Sequence, residues 1–377
     1  MKTIILAPDS FKESASAIEI CQAMEKGIRK VFPTANIIKL PMADGGEGTV
    51  QALVNSRHGS IHQAVVHNPI GHSVTATYGI LEQPKTAVIE MASASGLHLL
   101  TQDERDPRIT SSYGTGELIA HCLDQGIDQI ILGLGGSATN DGGSGMAQAL
   151  GIRFLDKDGM PLPPGGAALR YLHTIDLSNC HPKLSQVKLT VACDVNNPLC
   201  GPQGASAIFG PQKGATPAMV EELDQALAHY ASVIEQQLNK SIREIPGSGA
   251  AGGLGAGLLA FTPAVLESGI DIVIRETKLA DVAKKAHVIF TGEGQMDHQT
   301  QYGKTPFGVV KVAKKVNPNI TAIALAGSLG KDYQALYNEG FDAMFSIAPG
   351  PSDLENLMKH TLTNIEATSE AICRLLS

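Results

Sequence analysis

Two textures of apolar and polar positions divide the chain. Residues 3–7 form a short unbroken apolar run, the pattern of a strand buried on both faces, and residues 18–31 repeat apolar positions at helical spacing. A polar loop, Asp9-Ser10-Phe11-Lys12-Glu13-Ser14, separates them. Residues 36–40 read as a second strand, followed by Pro41-Met42-Ala43-Asp44-Gly45-Gly46-Glu47-Gly48 and another helix. The C-terminal part repeats this grammar. A strand at 287–291 leads into Gly292-Glu293-Gly294, and a helix over 304–316, a strand at 320–326 and a helix near Tyr333 follow. A last strand at 343–348 precedes a long helix over 353–376. Strands alternating with helices imply parallel pairing through right-handed crossovers.

The middle differs. Residues 60–81 alternate polar and apolar around Asn68-Pro69-Ile70-Gly71, which reads as an antiparallel hairpin, and glycine clusters punctuate the chain from Gly114 to Gly257. The expected architecture is therefore two-domain α/β. A discontinuous parallel-sheet domain uses residues 1–64 and 281–377, and a glycine-rich mixed α/β domain is inserted at 65–280.

A length of 377 residues agrees with two domains. With 43% hydrophobic and 18% charged residues, global disorder is excluded. The 40 glycines follow no triplet period and so point to loops rather than collagen. There is no Trp and aromatics make up 4%, which argues against base-stacking platforms. A net charge of −8 without a basic stripe argues against nucleic acid or an anionic membrane as partner, while leaving small anionic substrates open. The six cysteines show no CxxC spacing, as expected of free thiols in a reducing compartment. The N-terminus reads as a strand, not a signal peptide, and the longest nearly apolar stretch, 250–266, is shorter than a membrane span. A cytoplasmic protein is expected.

In open α/β sheets ligands sit beyond the carboxyl ends of strands. Three loops fall there: residues 9–14, 43–48 and 292–301, each with a carboxylate, and Lys12 and Lys304 stand in or beside two of them. Carboxylates hold magnesium or accept a nucleophile's proton, while lysines and glycine-rich amides absorb phosphate charge, so the set suits phosphoryl transfer. The plainer alternative is that Asp9 and Asp44 cap the helices after them.

Gly133-Leu134-Gly135-Gly136-Ser137-Ala138 follows the apolar strand 129–132 and matches G-x-G-x-x-A, with Asp156 about twenty residues on, after a strand-like 152–155. Gly142, Gly143 and Gly145 would cost a helix there roughly 3 kcal/mol, so an extended phosphate-cradling loop fits better than a dinucleotide turn. The match leaves one alternative function, a nicotinamide-dependent dehydrogenase of a small hydroxy acid with Asp156 on the ribose. Gly303-Lys304-Thr305 completes the end of a P-loop, but His298 stands where its first glycine belongs. Asp194 closes the apolar strand 188–192 and suits either a metal or base position or a turn. Residues 247–257 suit either close helix packing or a phosphate-facing helix end. GxSxG, HExxH, EF-hand and protein-kinase H-R-D and D-F-G patterns are absent.

Taken in order, these segments resemble the bacterial type I glycerate kinase family. The resembling stretches are residues 7–14, 41–49, 133–143, Cys193-Asp194-Val195-Asn196-Asn197-Pro198-Leu199, Phe209-Gly210-Pro211-Gln212-Lys213-Gly214-Ala215, 252–255 and 291–294. The resemblance implies ATP-dependent phosphorylation of D-glycerate to 2-phosphoglycerate with magnesium. It also implies a flavodoxin-like (Rossmann-like) domain from both chain ends and an inserted domain likened to restriction endonucleases. On that expectation, glycerate and ATP meet between the domains. Asp9, Ser10, Lys12, Asp44 and Glu47 bind substrate, with Lys12 and the amides around Ser10 on a carboxylate or the transferring phosphate. Gly133, Gly135, Gly136, Ser137, Thr139, Asn140, Gly142, Gly143 and Lys304 carry the nucleotide phosphates. Lys12, Asp44, Asp194 and Asp297 are the expected catalytic set, with Asp194 as base and Asp194 and Asp297 as magnesium ligands.

Overall fold

The computed structural model describes residues 2–377. Among these residues the strands are, in chain order, β1 (Thr3–Leu6), β2 (Asn36–Lys39), β3 (Ser60–His67), β4 (Ser73–Glu82), β5 (Lys85–Glu90) and β6 (Gln129–Gly133). They continue with β7 (Arg153–Leu155), β8 (Thr174–Asp176), β9 (Lys188–Ala192), β10 (Val265–Glu267), β11 (Val288–Met296), β12 (Thr321–Leu329) and β13 (Ala343–Ser346). The chain divides into two units, one of residues up to Asp44 with 51–59 and 269–377, the other of residues 45–50 and 60–268.

The first unit holds a five-stranded sheet in the order β13-β12-β11-β1-β2, parallel throughout. Numbered within the unit, that order is 2-1-3-4-5, the flavodoxin-like arrangement, and its topological switch point lies between β1 and β11. The strands are apolar on both faces because helices cover both: Ile4, Ile5 and Leu6 are fully buried. Helix Ala17–Arg29 starts at Ser16, whose hydroxyl accepts from the Glu19 amide while Glu19 accepts from the Ser16 amide. It buries Ile20, Met24 and Ile28, each worth roughly 1.5–3 kcal/mol. Its Gly27 meets the helix Thr361–Leu376 so closely that a Cβ would lie 2.2 Å from the Glu366 carbonyl oxygen.

Three expectations need correcting here. The strand expected at 287–291 runs on to Met296, because β12 continues beside it and pairs Gly292 with Leu325 and Glu293 with Ala326. Glu293 is therefore a strand residue, not a loop residue. The expected 353–376 helix breaks at His360 (φ −104°, ψ 12°) into Leu354–Lys359 and Thr361–Leu376. The helix near Tyr333 is a 3-10 turn, Tyr333–Glu339.

The second unit holds a mixed six-stranded sheet, β10-β9-β6-β5-β4-β3, antiparallel from β3 to β5 and parallel from β5 to β10. Its β3–β4 hairpin turns where the Asn68 side-chain oxygen accepts from the amides of Ile70 (3.1 Å) and His72 (2.9 Å). Helix Tyr113–Asp124 packs Leu118, Ile119 and Leu123 onto Ile130, Leu132 and Val191 of the sheet. A second core gathers around helix Pro217–Leu238 and includes Phe154 and Ile175 of β7 and β8. β7 corrects the dinucleotide-fingerprint reading, because it pairs antiparallel with β8 in a separate ribbon. The six cysteines are free thiols, and among the described residues no helix is long and apolar enough to cross a membrane.

Candidate functional site

The first unit builds a carboxylate cluster at its switch point. After β1 the chain stays paired with β11, since the Ala7 amide donates to the Phe290 carbonyl (2.7 Å) and the Asp9 amide to the Gly292 carbonyl (2.9 Å). This pairing brings Asp9 to the strand that carries Glu293. Asp9 Oδ1 accepts from the Ser10 amide (2.7 Å) and Oδ2 from the Thr305 hydroxyl (2.5 Å). Glu293 Oε1 accepts from the Thr300 hydroxyl (2.9 Å) and lies 3.6 Å from Lys304 Nζ, which also donates to the Gln295 carbonyl (3.3 Å). Lys304 is the N-cap of helix Thr305–Val316, so the positive end of a twelve-residue helix joins the cluster.

Burial pushes the Asp9 carboxyl up to about 6, against the Thr305 hydrogen bond and with help from the charge of Asp44; the Ser10 amide and Lys12 pull it down. Burial pushes Glu293 up to about 7, opposed by Lys304 and the Thr300 hydrogen bond and reinforced by Asp9. Both acids thus change protonation near neutral pH, the range where a general acid or base works best. Asp9 caps no helix, because the next helix uses Ser16.

The other first-unit residues named from sequence fall around this pair. Ser10 is half-buried and Lys12 and Asp44 are exposed, with the charges of the last two acting on Asp9. Lys304 is half-buried. Asp297 opens the turn His298–Tyr302, its Oδ1 accepting from the Gln299 amide (2.8 Å).

The second unit carries the glycine-rich loop, an extended segment from Leu134 to Gly143 between β6 and helix Ser144–Ala149. Its keystone is the fully buried Asp141. Oδ2 accepts from the Ser112 amide (2.8 Å), the Ser112 hydroxyl (2.9 Å) and the Gly145 amide (3.2 Å), and Oδ1 from the Gly143 amide (3.1 Å). Gly252, at φ +67°, backs the loop so tightly that a Cβ would lie 1.9 Å from the Thr139 carbonyl oxygen. Among the loop residues named for the nucleotide, Gly135 and Gly136 are exposed, while Gly133, Ser137, Thr139, Asn140, Gly142 and Gly143 are buried. Beneath them lies Lys213, 1% exposed, donating from Nζ to the Ser137 hydroxyl (2.7 Å) and the Thr139 carbonyl (2.6 Å).

Glu47 belongs to this second unit and is exposed; its charge, after burial and the Val50 amide, acts on Glu90. Asp194 follows β9, is exposed, and accepts from the Ser268 hydroxyl (2.9 Å). Asp156 folds its own turn, its Oδ1 accepting from the amides of Asp158 and Met160 (2.9 Å each). Among the described residues no three His, Cys, Asp or Glu side chains gather as a metal cage.

The model of the glycerate kinase family matches residues 4–377. The chain belongs to the glycerate kinase family. It is 51% identical over 372 residues to the glycerate kinase of Halalkalibacterium halodurans, covering 99% of this chain and 97% of that protein. It is 47% identical over 374 residues to the glycerate 2-kinase of Escherichia coli, covering 99% and 98%. A crystal structure from Salmonella typhimurium LT2, provisionally assigned as glycerate kinase 2, matches with a TM-score of 0.90 at 47% identity, covering 100% of this chain and 98% of that one. Family membership makes the chain a kinase.

In this family member, sequence reasoning passed over Glu293, Thr300, Thr305, Asp141 and Lys213. Glu293 had one signal, an acid between two glycines directly after an apolar strand. Lys213 had only its Gly-Pro-Gln-Lys-Gly setting, and nothing in that pattern announces a buried ammonium.

Proposed function

We propose that the chain transfers the γ-phosphoryl group of ATP to D-glycerate, with the 2-hydroxyl as acceptor and 2-phosphoglycerate and ADP as products. The observation that carries the reading, beyond family membership, is the pair of half-buried carboxyls Asp9 and Glu293 at the switch point, both raised toward neutrality beside Lys304 and a helix N-terminus. Phosphoryl transfer needs a group to take the acceptor hydroxyl's proton and positive charge for the phosphoryl oxygens. In our proposal Asp9 takes the proton and Glu293 holds Lys304 toward the transferring group. Lys12 and the amides around Ser10 bind the glycerate carboxylate. The exposed amides of Gly135 and Gly136 bind nucleotide phosphates in the second unit. The 2-position is supported by the name of the Escherichia coli relative.

The donors present suit magnesium, because they are hard carboxylate oxygens, and magnesium in kinases takes only one or two of these and completes its shell with phosphate and water. Asp297 in the first unit and Asp194 in the second are each, taken singly, proposed as a carboxylate that would bind the ion, which would neutralise phosphate charge. Asp194 is also the rival for the base. The dehydrogenase reading is disfavoured by Asp156, whose carboxylate is engaged in its own turn on the β7–β8 ribbon.

Incubation with D-glycerate and magnesium-ATP, followed by phosphorus NMR, tests the proposal. A 2-phosphoglycerate signal is expected. A 3-phosphoglycerate signal overturns the regiochemistry, and ATP left intact overturns the substrate.

A further inference from the structure

Lys213 stands out among the charged side chains that the proposed chemistry does not use. It ends a 3-10 turn, Pro211–Lys213, and is 1% exposed. Lysine is almost never found so deep without a reason, since removing an ammonium from water costs several kcal/mol even after relaxation, on the order of the whole net stability of a domain. Burial pulls this ammonium down to about 7, with the charge of Asp141 opposing.

Its hydrogen bonds show where the interaction is directed. One bond reaches the Ser137 hydroxyl and the other the Thr139 carbonyl, so a single ammonium clasps the loop on both sides of Ala138. A hydroxyl that accepts from an ammonium cannot offer its own proton back, and must turn that proton elsewhere. Ser137 directly follows the exposed Gly135 and Gly136 and is itself 8% exposed, so it stands at the edge of the open stretch of the loop. Close by, the Thr139 hydroxyl and the Asn140 side-chain oxygen are buried without a hydrogen-bond partner among the described residues. Buried polar groups are ordinarily paired, so these two leave hydrogen-bonding capacity open beside Ser137.

We propose that Lys213 is a positioning residue of the glycine-rich loop: its buried ammonium fixes Ser137 so that the serine hydroxyl donates to a phosphate oxygen of the bound nucleotide. The proposal rests on the reading of this loop as the nucleotide phosphate site. Lys213 touches neither substrate nor nucleotide, and acts through Ser137 alone. When protonated it also places a positive charge one hydroxyl behind the phosphate, which strengthens the Ser137 donor.

The test uses the full chain with Lys213→Met, Ser137→Ala and the double variant. Magnesium-ADP affinity is read by calorimetry, and KM for ATP and for D-glycerate by steady-state kinetics. Each single variant is expected to weaken ADP binding and raise the ATP KM at least tenfold, with the glycerate KM within twofold. The double variant should be no weaker than the worse single one, because both remove the same hydrogen bond to phosphate. A merely structural lysine would move both KM values together and add to Ser137→Ala. If Ser137→Ala weakens ADP and Lys213→Met does not, the positioning role is overturned while the nucleotide site stands. If neither variant changes ADP affinity, the loop assignment falls and the positioning role falls with it. Should Lys213→Met fail to fold, Ser137→Ala decides alone: an unchanged ADP affinity overturns the proposal.

Discussion

Replacing Asp9 by Asn should make the protein more stable at alkaline pH while removing its activity. The wild-type carboxyl is raised from 3.8 to about 6 by burial, so the folded state binds its proton more tightly than the unfolded state does. Folded stability therefore falls as pH rises from about 4 to about 6, and the full cost persists above that. At 1.36 kcal/mol per pH unit this is roughly 3 kcal/mol at pH 8, about half as much at pH 5, and little at pH 4. Asparagine keeps the geometry. Its oxygen accepts from the Ser10 amide as Asp9 Oδ1 does, and its NH2 donates to the Thr305 hydroxyl, which can reverse its role from donor to acceptor. The variant never ionises, so the penalty vanishes.

Urea unfolding of wild type and variant at pH 5 and pH 8, with the m-value unchanged, measures the gain directly. The variant should be more stable by roughly 3 kcal/mol at pH 8 and by about half that at pH 5, and its turnover should drop by about 10² or more if Asp9 takes the proton. A variant no more stable than wild type at pH 8, or a gain that does not grow with pH, would refute the buried-carboxyl account. A stable variant with full turnover would leave the electrostatics intact and remove Asp9 from the chemistry.

Three further expectations follow from the same geometry. The kcat/KM of the wild type should fall as pH drops below about 6–7, because Asp9 (about 6) and Glu293 (about 7) become protonated; in Glu293→Gln, which lacks one of the two titrating groups, a profile unchanged in shape counts against the pair. Asp194→Asn should cost about 10² in turnover whether that exposed residue is the base or a magnesium ligand; a loss recovered at raised magnesium assigns it to the ion, and a loss that raised magnesium leaves unchanged assigns it to the base. Gly27→Ala should destabilise by roughly 1–3 kcal/mol, because its Cβ would meet the Glu366 carbonyl at 2.2 Å; a thermal melt equal to wild type would mean the two helices separate at little cost.

What the sequence made legible was periodicity and punctuation. The apolar run at residues 3–7 announced β1, the helical spacing after Ser16 announced the helix over it, and Asn68-Pro69-Ile70-Gly71 announced the hairpin between β3 and β4. Gly142 and Gly143 lie in an extended loop as their glycines suggested, while Gly145 falls inside the helix that begins at Ser144. The failures share a cause. Glu293 was read as loop because glycines flank it, yet the pairing of β11 with β12 carries the ladder through both glycines to Met296. Strand pairing partners lie far apart in sequence, and local propensity is overruled by them. Asp156 looked like a ribose-binding acid because spacing alone cannot tell which sheet a strand joins.

Burial of charge is the quantity that composition conceals most completely. Lys12, Asp44 and Asp194 were conspicuous as charged residues in loops, and all three are exposed. Burial instead perturbs Asp9 and Glu293, both half-buried, and Lys213, which is fully enclosed. A folded chain has little reason to keep such groups for stability, since a neutral side chain of similar shape would serve the core as well or better. In the first unit the two acids sit at the switch point of a flavodoxin-like sheet, beside the helix end that starts at Lys304. In the second, a lysine is sealed beneath a glycine-rich loop and clasps it from below. Both arrangements sacrifice stability locally for ionisable groups, poised near neutrality, at fixed positions. Phosphoryl transfer draws on that preorganisation, because little of its catalysis is covalent and most is the placing of charge.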